Sequence, residues 1–482
     1  MPETLTPDIC VIGGGPAGIA AALAAAREGV PVVLLERGAL GGSDPVSGSI
    51  PTKALIVAAE INELLRRGPA FGVTGAPLQV NLTKVREHLA TIGAAVAANV
   101  SAERLAAAGV KVIQAAARFG DRDTVLAGDL AIRARRTILA VGAEPAPPDI
   151  PGLDGIDWIT VAGALDLSRK PTHLIVLGAG RAGLELAQAY NRLGIDTTVL
   201  DHGPALPEVD PELAAIVVDR FRAEGIRVRV GVDIVSVGRR RGGVRFTVSD
   251  PEGDSAAIDG SHLLIASGRR PNVDGLDLDV AGIRSTADGI VVDRKLRTGN
   301  RRVYAIGDAV AGPGDAAWGR QQAEQVVKSI LFRLPFVMRP DTVPFVAFTD
   351  PALATVGIDE TEARRRHGSG VRVLRFPFAE NDRAQIELMP AGMIKVVVAR
   401  NGRVLGAGIV GHDAGEMIAL WSLAVAGRLP ISALASFPAP ALTRSEISRR
   451  VAAGLGERTV GEARSLTAVW RRRIIALFSK FG

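Results

Sequence analysis

The sequence predicts an α/β fold, with two parallel-sheet modules of the same design followed by a C-terminal region of α+β character. Three observations predict it. A short apolar run, a glycine-rich turn and an apolar helix occur in that order twice. Each helix leads into a second strand-like run ending on an acid, and short strand-like runs crowd the last part of the chain.

The first module opens with "DICVI" (8–12), turns through "GGGPAG", continues as the helix "IAAALAAAREG" and returns as "PVVLLE", which ends at Glu36. The second repeats the pattern as "HLIVLG" (173–178), "AGRAG", "LELAQAYNRLG" and "DTTVLD", which ends at Asp201. Strand, glycine turn and helix in succession make the βαβ unit of a Rossmann-like, dinucleotide-binding domain. The proline-rich "VGAEPAPPDIPGLDG" (141–155) closes the first segment, and "SGRRPNVDGLDLDVAG" (267–282) closes the second. Beyond "VYAIGD", a glycine-rich loop and a helix lead through "RLPFVMRPDTVP" to the strand-like "MIKVVVA" and "VLGAGIVG".

A chain of 482 residues, 47% hydrophobic and 22% charged, is long enough for about three packed domains. Its longest apolar stretches, such as "IAAALAAA", fall well short of the roughly 18 to 20 residues of a membrane-spanning helix. The N-terminal "MPETLTPDIC" has neither the basic segment nor the apolar core of a secretory signal, so a cytoplasmic location is expected. The net charge of +6 comes from arginines spread along the chain, with 4% aromatic residues and no nucleic-acid-binding motif, which reads as a solvated basic surface. A single cysteine, Cys10, excludes a disulfide framework and a thiolate metal cluster, and no metal site is expected. Cys10 sits in the first strand and reads as a small buried core residue.

In "IGGGPAG", Gly13, Gly15 and Gly18 fill the three glycine positions of G-x-G-x-x-G. The first permits the tight turn, the second lets backbone approach a pyrophosphate, and the third lets the helix pack closely, its positive end toward the phosphates. Glu36 follows Gly13 by 23 residues, where an acid accepts hydrogen bonds from a ribose diol. Gly178, Gly180, Gly183 and Asp201 repeat the same interval. An acid there repels a 2′-phosphate, and the next residues are His202, Gly203 and Pro204 with no arginine, so NADH is expected in preference to NADPH.

The order of "VIGGGPAG", "GGSDPVSGSIPTKAL", "LAVG", "VLGAGRAGLELA", "ASGRRPN", "VYAIGD" and "FTDPALATVG" resembles that of the pyridine nucleotide-disulfide oxidoreductases, the family of dihydrolipoamide dehydrogenase and mercuric reductase. The resemblance spans about residues 6 to 460. It implies FAD at the first turn and a nicotinamide dinucleotide at the second, with Gly42, Gly142, Gly268 and Gly307 in the shared motifs also counted as cofactor-binding. It implies that Asp308 hydrogen-bonds the ribityl or pyrophosphate portion of the flavin, and that the last region mediates a homodimer. Lys53 and Glu185 would pair beside the flavin N5, with the ammonium stabilising negative charge as the ring takes up hydride. The implied division is 1–150 and 273–340 for the FAD domain, 151–272 for the NAD(P) domain, 341–464 for the dimerisation domain, and 465–482 for a tail.

The departure from the family lies in "GGSDPVSGSIPTKAL". Aligned on Gly41, Gly42, Gly48, Pro51 and Lys53, the segment carries Asp44 and Ser49 where members have the two cysteines of C-x-x-x-x-C. Thiol–disulfide exchange needs a thiolate attacking sulfur, and neither a carboxylate nor a hydroxyl has a disulfide state. The acid/base histidine of H-P-x-x-x-E is replaced too, since counting back five residues from Glu446 reaches Ala441. "P-A-L-T-x-x-E" is closer to the mercuric reductase wording, but holding a soft ion takes several thiolates. Asp44 and Ser49 read either as the lining of a small acceptor pocket on the flavin or, for Asp44, as a solvated acid near a helix N-terminus.

The tail alternates Val469, Trp470, Ile474, Ile475, Leu477, Phe478 and Phe481 with Arg471, Arg472, Arg473 and Lys480. That is a basic amphipathic helix, suited to lying peripherally on an anionic membrane or to packing on its own dimer. The expected activity is transfer of electrons from NADH through FAD directly to a small-molecule, non-disulfide acceptor such as a quinone, with Lys53, Glu185, Asp44 and Ser49 as catalytic candidates. Two alternatives stand beside it: a soluble pyridine nucleotide transhydrogenase, and a non-catalytic regulatory protein that binds flavin and NADH.

Overall fold

The computed structural model describes residues 3–75, 79–312 and 314–462; the basic tail from 465 lies outside them. The chain divides into two compact units, Met1–Ala205 with Phe221–Pro340, and Leu206–Arg220 with Asp341–Gly482.

Along the first unit run β1 (Ile9–Ile12), α1 (Pro16–Arg27), β2 (Val32–Glu36), α2 (Ser49–Arg67), β3 (Val110–Gln114), β4 (Arg136–Leu139), β5 (His173–Leu177), α3 (Arg181–Arg192), β6 (Asp196–Asp201), β7 (Arg227–Val230), β8 (His262–Ile265), β9 (Val303–Ala305) and α4 (Ala316–Phe332). Five parallel strands form one sheet in the order β9-β4-β1-β2-β3. Four form another in the order β7-β6-β5-β8. In each, the strand that feeds the glycine turn has its own successor on one side and a much later strand on the other. The order reverses there, and open α/β sheets bind ligands outside the strand carboxyl ends at such a switch point.

Residue type explains the placement. Ile9, Cys10 and Val11 are fully buried, as the unbroken apolar run of a parallel strand covered on both faces requires. The alanines of α1 leave little side chain between backbone and neighbour, so Ala21, Ala22 and Ala25 lie in one core with Ala323, Val326 and Val327 of α4. The segments that leave the two sheets meet each other, with Ala143–Pro145 pairing antiparallel with Arg269–Pro271.

The second unit is an antiparallel sheet of β10 (Phe345–Ala347), β11 (Ala352–Gly357), β12 (Arg372–Pro377), β13 (Met393–Val398) and β14 (Val404–Gly411), in the order β10-β11-β14-β13-β12. Helix α5 (Ala414–Ala426) packs on β11 and β14, and α6 (Glu446–Glu462) on β12. The core centres on fully buried Trp421, whose indole N–H donates to Ser448 Oγ at 3.1 Å. Leu206–Arg220, inside the 151–272 range expected from the sequence, groups with this unit. Buried Leu213 packs against Gly408 there, and the buried Lys395 ammonium on β13 lies 2.7 Å from both Asp210 and Glu212 and 3.0 Å from Glu360.

Candidate active site

The two glycine turns are built alike. Gly13 and Gly178 have φ of +107° and +117°, a region that a Cβ disfavours. A Cβ on Gly18 would lie 1.8 Å from the Gly13 carbonyl oxygen, and one on Gly183 1.9 Å from that of Gly178, so the helix packs on the turn only with glycine there. Gly15 and Gly180 differ. They are the N-caps of α1 and α3, and a Cβ on either would meet nothing within 4 Å. Protein packing does not demand these two glycines, while each leaves open backbone at a helix N-terminus. That is the cradle a dinucleotide pyrophosphate fits.

The acids after each turn also match. Glu36 accepts from the Gly14 N–H at 2.5 Å and the Gly38 N–H at 2.6 Å, one at each carboxylate oxygen. Asp201 accepts from the Ala179 N–H at 2.6 Å and the Gly203 N–H at 2.9 Å in the same way. Each carboxylate clamps its own glycine turn while its remaining lone pairs stay available to a ribose diol.

Helix α2 starts at Ser49, so Asp44 stands in the turn before it. Gly48 is the N-cap, and Pro51 falls in the first turn, where its missing N–H costs no hydrogen bond. The Asp44 carbonyl accepts from the Ile50 N–H at 3.1 Å, which folds the turn back on the helix. The Ser49 hydroxyl donates to Asp44 Oδ1 at 3.0 Å. The two positions that the family resemblance aligns with a cysteine pair are therefore in direct contact, joined by a hydrogen bond between one exposed and one half-buried side chain. Lys53 follows Ser49 by four residues and shares its helix face. Its ammonium lies 2.5 Å from Glu185 Oε2 on α3, with the Glu185 carboxylate only 1% exposed. Buried Asn62 reinforces the same contact by donating to the Arg192 carbonyl at 2.6 Å.

The remaining predicted glycines all have positive φ: Gly42 +65°, Gly142 +69°, Gly268 +77° and Gly307 +67°. A Cβ on Gly42 would lie 3.2 Å from the Cα of Gly15, which places Gly42 against the first cradle. Gly142 and Gly268 precede the paired exit segments. The Gly307 N–H donates to Gln322 Oε1 at 2.7 Å. Beside it, Asp308 Oδ2 lies 2.7 Å from Nη1 of Arg269, whose Nη2 also donates to the Ala143 carbonyl at 2.8 Å. Arg269, Asn62 and Gln322 were missed from the sequence; "SGRR" marked a boundary, but nothing local paired its arginine with Asp308. Cys10 is fully buried, and burial pushes its thiol up to about 12, so it supplies no thiolate. Ala441 is exposed. The histidine that the fold links to its segment is His412, 3.7 Å from Asp413, whose carboxylate also holds Arg444.

Two glycine turns of one design cap α1 and α3, and a lysine–carboxylate pair joins α2 to α3. The chain belongs to the pyridine nucleotide-disulphide oxidoreductase family, an FAD-dependent family that uses NAD(P)H. The family model matches residues 7–329, and the model of its dimerisation domain matches residues 343–452. The chain is 32% identical to a mercuric reductase of Streptomyces lividans over 91% of its own length and 94% of the relative's. It is 33% identical to the dihydrolipoyl dehydrogenase of Geobacillus stearothermophilus over 86% and 89%. The crystal structure of LpdA from Mycobacterium tuberculosis superposes with a TM-score of 0.83 at 28% identity, covering 94% of this chain and 99% of that one. With one cysteine in its whole length, this chain has no pair to form a redox disulfide. Among the described residues no cluster suited to a metal ion occurs, and no helix is long and apolar enough to cross a membrane.

Proposed function

We propose that the chain is an FAD-dependent NADH oxidoreductase, working as a homodimer, that hands electrons directly to a non-disulfide acceptor such as a quinone. The observation that carries this is the Ser49–Asp44 hydrogen bond at the places of the family's cysteines, four residues before a retained Lys53–Glu185 pair. The sulfur relay is replaced while the charged pair is kept. Gly13, Gly15, Gly18, Glu36, Gly42, Gly142, Gly307 and Asp308 would hold FAD. Gly178, Gly180, Gly183, Asp201 and Gly268 would hold the nicotinamide dinucleotide.

A flavin bound there supplies a two-electron store between NADH and the acceptor. The chain's own residues do the rest. Glu185 keeps Lys53 at a fixed position, and the ammonium favours negative charge developing beside it. The Ser49 hydrogen is committed to Asp44, so the pair presents acceptor lone pairs on the helix face that also bears Lys53. That arrangement suits an acceptor that becomes a hydrogen-bond donor when reduced, as a quinone does on taking two electrons and two protons. Asp201, with no arginine after it, supports NADH over NADPH.

Anaerobic mixing with NADH tests the reading. Flavin absorbance should bleach rapidly and return on adding a quinone. Flavin that stays oxidised would leave a binding protein, and recovery with NADP⁺ but not with quinones would mean transhydrogenation.

A further inference from the structure

Helix α2 carries apolar residues on two faces. Pro51, Ala54, Leu55, Ile56 and Ala59 are buried in the fold, whereas Val57, Ile61, Leu64 and Leu65 on the other side are 48% to 59% exposed. A helix apolar on both faces belongs in an interior, so the outer face calls for a cover. The outer residues are not scattered. Ser49, Lys53, Val57, Ile61 and Leu65 follow one another at intervals of four, so they form a single ridge along the helix. The ridge begins at the two site residues and continues as hydrocarbon. It is also symmetric, since Val57 and Leu65 lie four residues to either side of Ile61. Beyond it the chain turns through Gly68–Phe71, closed by the Val73 N–H donating to the Gly68 carbonyl at 3.0 Å, with Phe71 47% and Val73 66% exposed.

Resting on the reading of the chain as a homodimer with a quinone-type acceptor, we propose that α2 packs antiparallel on the partner's α2, ridge into groove, with Ile61 near the two-fold axis. A two-fold dimer presents the same patch on both subunits, so a ridge with its own centre of symmetry is matched by its copy. The match to a dimerisation domain makes a second copy the occupant at hand, and α2 lies outside the residues of that match, 343–452. Lys53 lies eight residues before Ile61 and Phe71 ten residues after it, so antiparallel packing brings the partner's Phe71 level with the turn from Ser49 to Lys53. The acceptor site on that turn thus gains an apolar wall from the second copy, which suits the ring of a quinone.

The test is cross-linking of the full-length holoenzyme, which needs no turnover. Cys10 is buried, so a cysteine placed at Ile61 is the accessible thiol. Under mild oxidation Ile61→Cys should link two protomers about tenfold faster than Val337→Cys, a control at another exposed position of the same unit. Ile61→Asp should raise the dimer dissociation constant about 100-fold in sedimentation. Phe71→Ser should raise the KM for a quinone about tenfold while the dimer persists. Cross-linking of Ile61→Cys no faster than the control would overturn the inference, and a raised quinone KM in Ile61→Asp beside it would make the ridge a seat for the acceptor instead. An unchanged quinone KM in Phe71→Ser would overturn the partner's share in the site. A wild type that sediments as a monomer would overturn the homodimer reading and the inference with it. A wild-type dimer that reduces no quinone would overturn the acceptor reading, with the packing still judged by the cross-link.

Discussion

A carboxylate as buried as that of Glu185 needs a counter-charge, and Lys53 supplies it from a helix 132 residues earlier in the chain. Lys53→Met should cost about 3–5 kcal/mol in a denaturant melt by stranding that charge. It should also slow anaerobic flavin reduction by NADH about 100-fold, and Lys53→Arg should recover most of both losses. Equal reduction rates in Lys53→Met and wild type would remove the ammonium from the chemistry. No local spacing announces this pair; it was legible only through the order of family motifs around each partner. The Arg269–Asp308 pairing was not legible, since Asp308 stood out only through the motif "VYAIGD" and nothing in "ASGRRPN" tied its arginine to that acid.

At the scale of the elements, the two glycine turns were the most legible part of the chain, because strand, turn and helix are adjacent in sequence and each glycine answers a local need. The structure sorts those glycines by what they answer to. Gly15→Ala places its Cβ where no protein atom stands within 4 Å, so the apoprotein should melt within about 1 kcal/mol of wild type, while FAD retention on gel filtration falls about tenfold. Gly18→Ala should do the opposite, destabilising the fold itself by about 1–3 kcal/mol, because its Cβ would sit 1.8 Å from a carbonyl oxygen.

Leu206–Arg220 groups with the C-terminal sheet, where Asp210 and Glu212 form ion pairs with a lysine distant in sequence, Lys395. These pairs have a pH signature. Hydrogen bonds from Arg375, opposed by burial and joined by those from Lys395, bring Glu212 from 4.5 down to about 2. Burial works to raise Glu360, but hydrogen bonds from Lys395 and Arg364 outweigh it and bring that carboxyl also to about 2. Carboxyls depressed in the folded state contribute stability that is full above their unfolded values and is lost as pH falls through the folded ones. Thermal melts of the wild type should therefore weaken between about pH 4.5 and pH 2, and Lys395→Met should flatten that dependence. An unchanged acid profile in the variant would show that Lys395 contributes nothing to it.

For the whole molecule, family and chemistry diverge at one place. Fold and dimerisation domain are those of a disulphide oxidoreductase family, yet the whole sequence holds one sulfhydryl, sealed in β1. Composition alone establishes that much, because a count of cysteines needs no fold. What stands in place of the pair shows only in the folded chain, where Asp44 lies outside the helix and in hydrogen-bond contact with Ser49. The central claim is that the protein stores electrons on flavin alone. Anaerobic dithionite titration of the purified holoenzyme measures this most directly. The account predicts two electrons per protomer, rising to four only in the double variant Asp44→Cys, Ser49→Cys. Four electrons in the wild type would contradict it.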